Sequence, residues 1–187
     1  AAEKVYQGAM VNAGQVCVAI KRAYVHETVY DEFIAEITRL AQEAVVDEGT
    51  RQGVTIGPVQ NKMQFEKVSA LLADARERGT VLAGGAPLDR PGYFIPPTIV
   101  ADLDDDAPLV REEQFGPVLP VLKFSDVDDV IARANDSDYG LGGTVWGKDV
   151  ARAMDVARRI DTGTVWVNQH LAIDPAIPFR GVRQSGL

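Results

Sequence analysis

The sequence predicts an α/β domain, a three-layer α/β/α arrangement around a largely parallel open sheet. Two observations carry this. Short apolar runs alternate along the chain with longer stretches whose apolar residues recur at helical spacing. Two of the runs, Val118–Leu122 and Val165-Trp166-Val167, are apolar on both faces, as strands covered on both sides are. No repeat at a fixed period and no low-complexity segment competes with that reading.

The elements follow in order. Arg22–Val25 reads as a strand. Thr28-Val29-Tyr30-Asp31 resembles a capping box, and Phe33, Ile34, Ile37, Leu40, Ala41 and Ala44 then repeat at helical spacing. A helix is expected over Lys62–Arg78, burying Phe65, Val68, Leu71, Leu72 and Ala75, with Gly79 placed to end it. Thr80–Leu82, Thr98–Val100 and Val118–Phe124 read as strands. Pro120 offers no N–H to a ladder, which points to a bulge or an edge for the last of these. Ser125 is the expected cap of a helix carrying Val127, Val130, Ile131 and Ala134. Strand Gly143–Trp146 precedes a helix opened by Asp149, with Val150, Ala153, Met154, Ala157 and Ile160, and Thr164–Asn168 is the last strand. The Gly- and Pro-rich stretches Asp47–Gln60 and Gly84–Pro97 are loops, of the kind that build sites at strand ends.

Composition narrows the function. With 46% hydrophobic and 25% charged residues, the chain can bury an ordinary core. Its 187 residues suit one domain, or one domain cut from a longer chain. The start Ala1-Ala2-Glu3-Lys4 has no initiator methionine and no signal-peptide core, and reads as an excised or processed end. No apolar run approaches the roughly 18 residues of a membrane helix. A net charge of −8 without a Lys/Arg cluster argues against nucleic acid. Neither membrane, nucleic acid nor metal is therefore an expected partner. A single cysteine forms no internal disulfide and suggests a reducing, cytoplasmic setting.

Three stretches carry candidate chemistry. In Asn12-Ala13-Gly14-Gln15-Val16-Cys17, composition alone favours a buried core cysteine. Against that stand Gly14, which permits positive φ or close backbone approach, the polar Gln15, and the nearby cations Lys21 and Arg22; a thiol becomes nucleophilic as the thiolate. Glu112-Glu113-Gln114-Phe115-Gly116-Pro117-Val118 reads either as a solvated acidic loop with Phe115 plugging the core, or as a carboxylate for sugar hydroxyls beside a ring that packs a flat heterocycle. Pro178-Phe179-Arg180-Gly181-Val182-Arg183-Gln184-Ser185-Gly186 is a basic, glycine-rich tail. A base for Cys17 would have to be His26 or His170, and nothing in the sequence forces either close.

Together these stretches resemble the catalytic domain of the aldehyde dehydrogenase superfamily. "NAGQVC" resembles the Asn-x-Gly-Gln-x-Cys nucleophile motif. "IGPV", "GYFIPPTIV", "EEQFGPV", "ANDSDYGL", "GTVWVN" and "PFRGVRQSG" resemble further family segments in the family's order. The resemblance implies a catalytic Cys17 that attacks an aldehyde, with its own backbone N–H in the oxyanion hole. It implies Glu113 on the nicotinamide ribose and Phe115 beside the nicotinamide of NAD or NADP. His170, Leu171 and Ile173, after "WVN", become candidates for substrate contact. A small-molecule aldehyde and a homo-oligomeric full enzyme are implied as partners. The family's glutamate base, its second oxyanion donor and its cofactor-binding domain would lie upstream, so residues 1–187 are expected to form the catalytic domain alone, with little turnover. Arg180 stands where the family has glycine, which questions the local turn. Two other readings stay open: a cysteine acyl-transferase or hydrolase with a Cys17–His pair, and a non-catalytic interaction module.

Overall fold

The structure, a computed structural model, describes residues 1–186. Two compact units divide it, one of residues 2–123 and one from Phe124 onward. The first contains helix α1 (Ala2–Met10), strand β1 (Ala23–His26), helices α2 (Glu27–Gln42) and α3 (Lys62–Arg78), strands β2 (Thr80–Ala83) and β3 (Thr98–Ala101), the one-turn helix α4 (Pro108–Arg111) and all but the last residue of strand β4 (Val118–Phe124). Its sheet has the order β1-β4-β3-β2. β3 and β4 are parallel, with Thr98 opposite Val118 and Val100 opposite Pro120. β2 runs antiparallel to β3, with an irregularity between Val81 and Ala83.

Pro120 is thus neither at an edge nor at the bulge, because β4 is an interior strand. The missing ladder bond is outweighed by packing. Val118, Leu119, Val121 and Leu122 are all buried, and each such side chain contributes about 1.5–3 kcal/mol. Val68, Leu72 and Ala75 of α3 join Ile95, Val100 and Leu109 in the same core.

Helix ends explain where the expected boundaries held and where they moved. α3 begins and ends as expected. The Asn61 side chain accepts from the backbone N–H of Gln64 at 2.9 Å. Gly79 ends the helix through close packing, since a Cβ there would sit 2.6 Å from the Ala101 carbonyl oxygen. α2 starts one turn's edge earlier than the capping-box reading. His26 Nδ1, not Thr28, is the cap, accepting from the Thr28 N–H at 3.3 Å. Asp126, not Ser125, caps the next helix, because its carboxylate reaches the Asp129 N–H at 2.8 Å.

The second unit contains α5 (Val127–Asn135), β5 (Tyr139–Gly140), β6 (Gly142–Val145), α6 (Val150–Ala157), β7 (Thr164–Val167) and β8 (Val182–Arg183). β6 and β7 are parallel and β5 and β8 antiparallel. Asp149 caps α6 as expected. Ala153 and Ala157 are buried, whereas Val150 and Met154 are exposed. Among the described residues no helix is long and apolar enough to cross a membrane.

Candidate active site

The cysteine sits at the end of an unusual backbone path. After α1, residues Val11–Gly14 form a tight 3-10 segment in which Asn12, Ala13 and Gly14 have φ of 51°, 54° and 70°. A left-handed conformation costs a non-glycine residue roughly 1–2 kcal/mol, and such conformations concentrate at sites where the surroundings over-determine them. The surroundings here are specific. The Asn12 side chain donates to the Gln15 carbonyl at 3.2 Å, and the Gln15 N–H returns a bond to the Asn12 carbonyl at 3.1 Å. The Gln15 side-chain oxygen accepts from the Gln60 N–H at 2.8 Å, so the polar residue that suits no core strand clips this turn to the Asp47–Gln60 loop.

Val18, Ala19 and Ile20 are buried, but Cys17 is exposed. The Ala19 N–H bonds the Val16 carbonyl at 3.0 Å, and the turn this closes lifts the thiol out of an otherwise apolar run. The core-cysteine reading fails for that reason.

Gly14 also brings two motifs together. A Cβ on Gly14 would lie 2.0 Å from the Gly116 carbonyl oxygen and 2.5 Å from its carbon. The cysteine loop and the Glu112–Val118 stretch are therefore in backbone-to-backbone contact that only glycine allows. The second stretch is itself held by buried polar groups. Gln114 is fully buried, and its side-chain amide donates to the Lys21 carbonyl at 3.0 Å and to the Leu109 carbonyl. From α3, Gln64 donates to the carbonyls of Gln114 and Phe115 at 2.6 and 3.1 Å, and Lys67 to that of Glu113 at 2.8 Å. Phe115 turns out of this scaffold with φ 51°. Glu113 and Phe115 are both half-buried, so neither a fully solvated loop nor a core plug describes them.

Lys21 stands among all of these. Its ammonium donates to the Gly14 carbonyl and lies 5.4 Å from the centre of the Phe115 ring. Burial pushes its pKa down to about 8, while the negative forms of Glu113 and Cys17 pull it back up. A lysine that the sequence offered only as nearby charge thus links the Cys17 loop, through Gly14, to the Phe115 ring. Gln114 was not singled out at all; its one sequence signal was a polar residue just before an aromatic Gly-Pro turn.

The histidines are accounted for locally. His26 caps α2. His170 belongs to the second unit, where its ring meets Trp166 edge-on at 5.3 Å. There Trp166 donates to the Ala172 carbonyl at 2.8 Å, and Asn168 exchanges two 2.9 Å bonds with the backbone of Gly147. Ile173 lines an apolar groove of about 580 Å³ with Val150, Met154, Trp166, Ile177 and Phe179; His170 and Leu171 do not line it. Arg180 is exposed and not in the left-handed region, so the arginine fits its turn without backbone strain. Among the described residues no cluster of three or more His, Cys, Asp or Glu could hold a metal.

The family model described as the aldehyde dehydrogenase family matches residues 1–187. The chain belongs to the aldehyde dehydrogenase family. A mitochondrial aldehyde dehydrogenase from Leishmania tarentolae is 41% identical over 177 residues, covering 94% of this chain and 36% of that protein. An NAD+ complex of an aldehyde dehydrogenase from Bacillus cereus superposes with a TM-score of 0.95 at 37% identity, over 100% of this chain and 38% of that one. An NADP-dependent enzyme from Escherichia coli gives a TM-score of 0.95 at 36% identity, over 100% and 39%. The chain thus spans little more than a third of the length of its aldehyde dehydrogenase relatives.

Proposed function

We propose that the polypeptide carrying this chain oxidises an aldehyde to a carboxylic acid with NAD+ or NADP+, and that Cys17 is its nucleophile. The observation that carries this is the exposed Cys17 turn packed through Gly14 on Gly116, a backbone contact between the loop of the thiol and the stretch that contains Glu113 and Phe115.

The chemistry suits these groups. The Cys17 thiolate adds to the carbonyl carbon, and the negative charge that develops on oxygen is met by the Cys17 backbone N–H. Loss of hydride from the thiohemiacetal carbon leaves a thioester, and water then releases the acid and restores the thiol. Glu113 and Phe115 fit the nicotinamide end of a dinucleotide: a half-exposed carboxylate accepts two ribose hydroxyls well, and a ring fixed by a left-handed backbone offers one flat face. The dinucleotide supplies acceptance of the hydride. His170, Leu171 and Ile173 are proposed aldehyde contacts, Ile173 having the groove to support it. The full enzyme is read as a cytoplasmic homo-oligomer.

Residues 1–187 alone are proposed to turn over little. Holding reactants in place contributes roughly 7–11 kcal/mol of a barrier, and a missing general base typically costs about 10²–10⁴-fold. The test is NADH or NADPH formation by the full-length enzyme on a panel of short aldehydes. Turnover should disappear in Cys17→Ala. Oxidation that survives this substitution overturns the assignment of Cys17, and ordinary dehydrogenase turnover by residues 1–187 overturns the proposed inactivity.

A further inference from the structure

Lys21 is four residues beyond Cys17 and leads into β1, yet its side chain turns back on its own loop. One end of the residue is fixed by the Gln114 amide, which donates to its carbonyl at 3.0 Å. The other end, the ammonium, donates to the Gly14 carbonyl and faces the Phe115 ring at 5.4 Å. Gly14 belongs to the turn that presents the thiol, and Phe115 to the stretch that carries Glu113. Lys21 therefore bridges, with one side chain, the two segments that meet at Gly14 and Gly116.

We propose that Lys21 is a positioning residue, whose ammonium holds the Cys17 turn and the Phe115 turn in one geometry and keeps a positive charge beside the thiol. The inference rests on the proposed role of Cys17, but not on turnover for its test.

Cys17 faces the ammonium from its own loop and Glu113 from the adjoining stretch. On the far side of the Glu113 backbone, Lys67 binds the Glu113 carbonyl and pairs with Glu112 at 3.9 Å. A cation near a thiol favours the thiolate. A cation over a ring face is attracted to it, the more so when desolvated. Both effects vanish when the amine is neutral, and its pKa, lowered by burial to about 8, puts that loss just above neutral pH.

The experiment is the rate of Cys17 alkylation by iodoacetamide in the 187-residue chain as a function of pH, for the native chain, Lys21→Met and Lys21→Arg. Circular dichroism confirms the fold of each. Lys21→Met should slow the reaction several-fold at neutral pH. Lys21→Arg keeps its charge throughout and should restore the rate, without the attenuation that the native chain shows above its lysine pKa. If Lys21→Met fails to fold, Lys21→Gln, which keeps a donor for the Gly14 carbonyl, replaces it with the same expectation. An unchanged pH profile in a folded uncharged variant overturns the proposal, as does an arginine variant that behaves like methionine. In the full-length enzyme, Lys21→Met should raise KM for the dinucleotide several-fold more than it lowers kcat. If the native full-length enzyme oxidises no aldehyde, the proposed function fails while the alkylation result still decides the role of Lys21.

Discussion

The Cys17 turn and the segment after β7 are both short, partly apolar and candidates for contact with substrate, yet they are built in opposite ways. The Cys17 turn has three successive left-handed residues, a glycine in backbone contact with Gly116, and side-chain clips from Asn12, Gln15 and Lys21. The segment from Asn168 to Phe179 is fixed near its start, at Asn168 and under Trp166, and then leaves Ile173 and Ile177 at 57% and 65% exposure. A nucleophile needs one geometry, and a surface that meets variable apolar groups needs area. Left-handed residues occur in both, at Asn168 and Leu171 as well as at Asn12 and Ala13; what sets the first apart is their succession and its contact with Gly116, and what sets the second apart is the aliphatic side chains it leaves uncovered.

The largest effect should come from Gly14→Ala. The methyl group would meet the Gly116 carbonyl at 2.0 Å, with a backbone φ of 70°. Overpacking costs typically 1–3 kcal/mol, and the left-handed conformation adds about 1 more, so a loss of about 2–4 kcal/mol is expected in urea unfolding. A loss below about 1 kcal/mol would show that the two stretches yield easily and that the Cys17 turn is not rigid.

Gln114→Leu ranks next. It leaves the carbonyls of Lys21 and Leu109 without their donor inside the core, a loss of about 1–3 kcal/mol. It should also change the rate of Cys17 alkylation although Gln114 does not touch the thiol. A stable variant with native alkylation would mean that the Glu112–Val118 stretch is held without this amide.

Much of the fold was legible because its signals are local. Lys62–Arg78 has an asparagine before it and a glycine after it, and five apolar residues at helical spacing between. α1 was not legible: it has nine residues, no evident cap, and a buried face made of Val5, Gly8, Ala9 and Met10, two of them too small to mark a stripe. β5 and β8 are two residues each, and their pairing depends on residues more than forty positions apart. In the site, Cys17, Glu113 and Phe115 stood out as parts of motifs, and Gly14 as a glycine beside a cysteine. Gln114 did not, because what defines it is a backbone carbonyl far away, 93 residues from it at Lys21, and Lys21 showed only as a nearby charge, because its place against Phe115 spans 94 residues. No periodicity or spacing encodes such a bond.

A smaller effect tests the electrostatics of the rigid region. Lys21 has its pKa lowered from 10.5 to about 8 on folding, so between these values the unfolded chain binds the additional proton. Stability then rises with pH through this window, and below it the buried ammonium is a fixed cost. Tyr6, raised by burial to about 12, acts oppositely above pH 10, where the unfolded phenol ionises first. The native chain should therefore gain stability relative to Lys21→Met from pH 8 to 10, measured by urea midpoints at each pH. A flat difference would show that Lys21 keeps an ordinary pKa, and a falling one that folding raises it.

The smallest effect is expected for Ile173→Ser. Ile173 is 57% exposed, on the rim of the groove beside Val150, Met154 and Ile177. Little area is withdrawn from water on folding there, so its removal should change stability by no more than about 0.5 kcal/mol in either direction. Trp166 is held by its bond to the Ala172 carbonyl, not by Ile173 alone, so its fluorescence maximum should stay in place. Cys17 alkylation should also be unchanged. What should change is association: an exposed apolar patch favours contact with other molecules, and a serine in its midst should lower the tendency of the chain to self-associate in sedimentation. A destabilisation above about 1 kcal/mol would mean that the segment after β7 is folded as tightly as the Cys17 turn, and the two regions would no longer stand for two different ways of building a site.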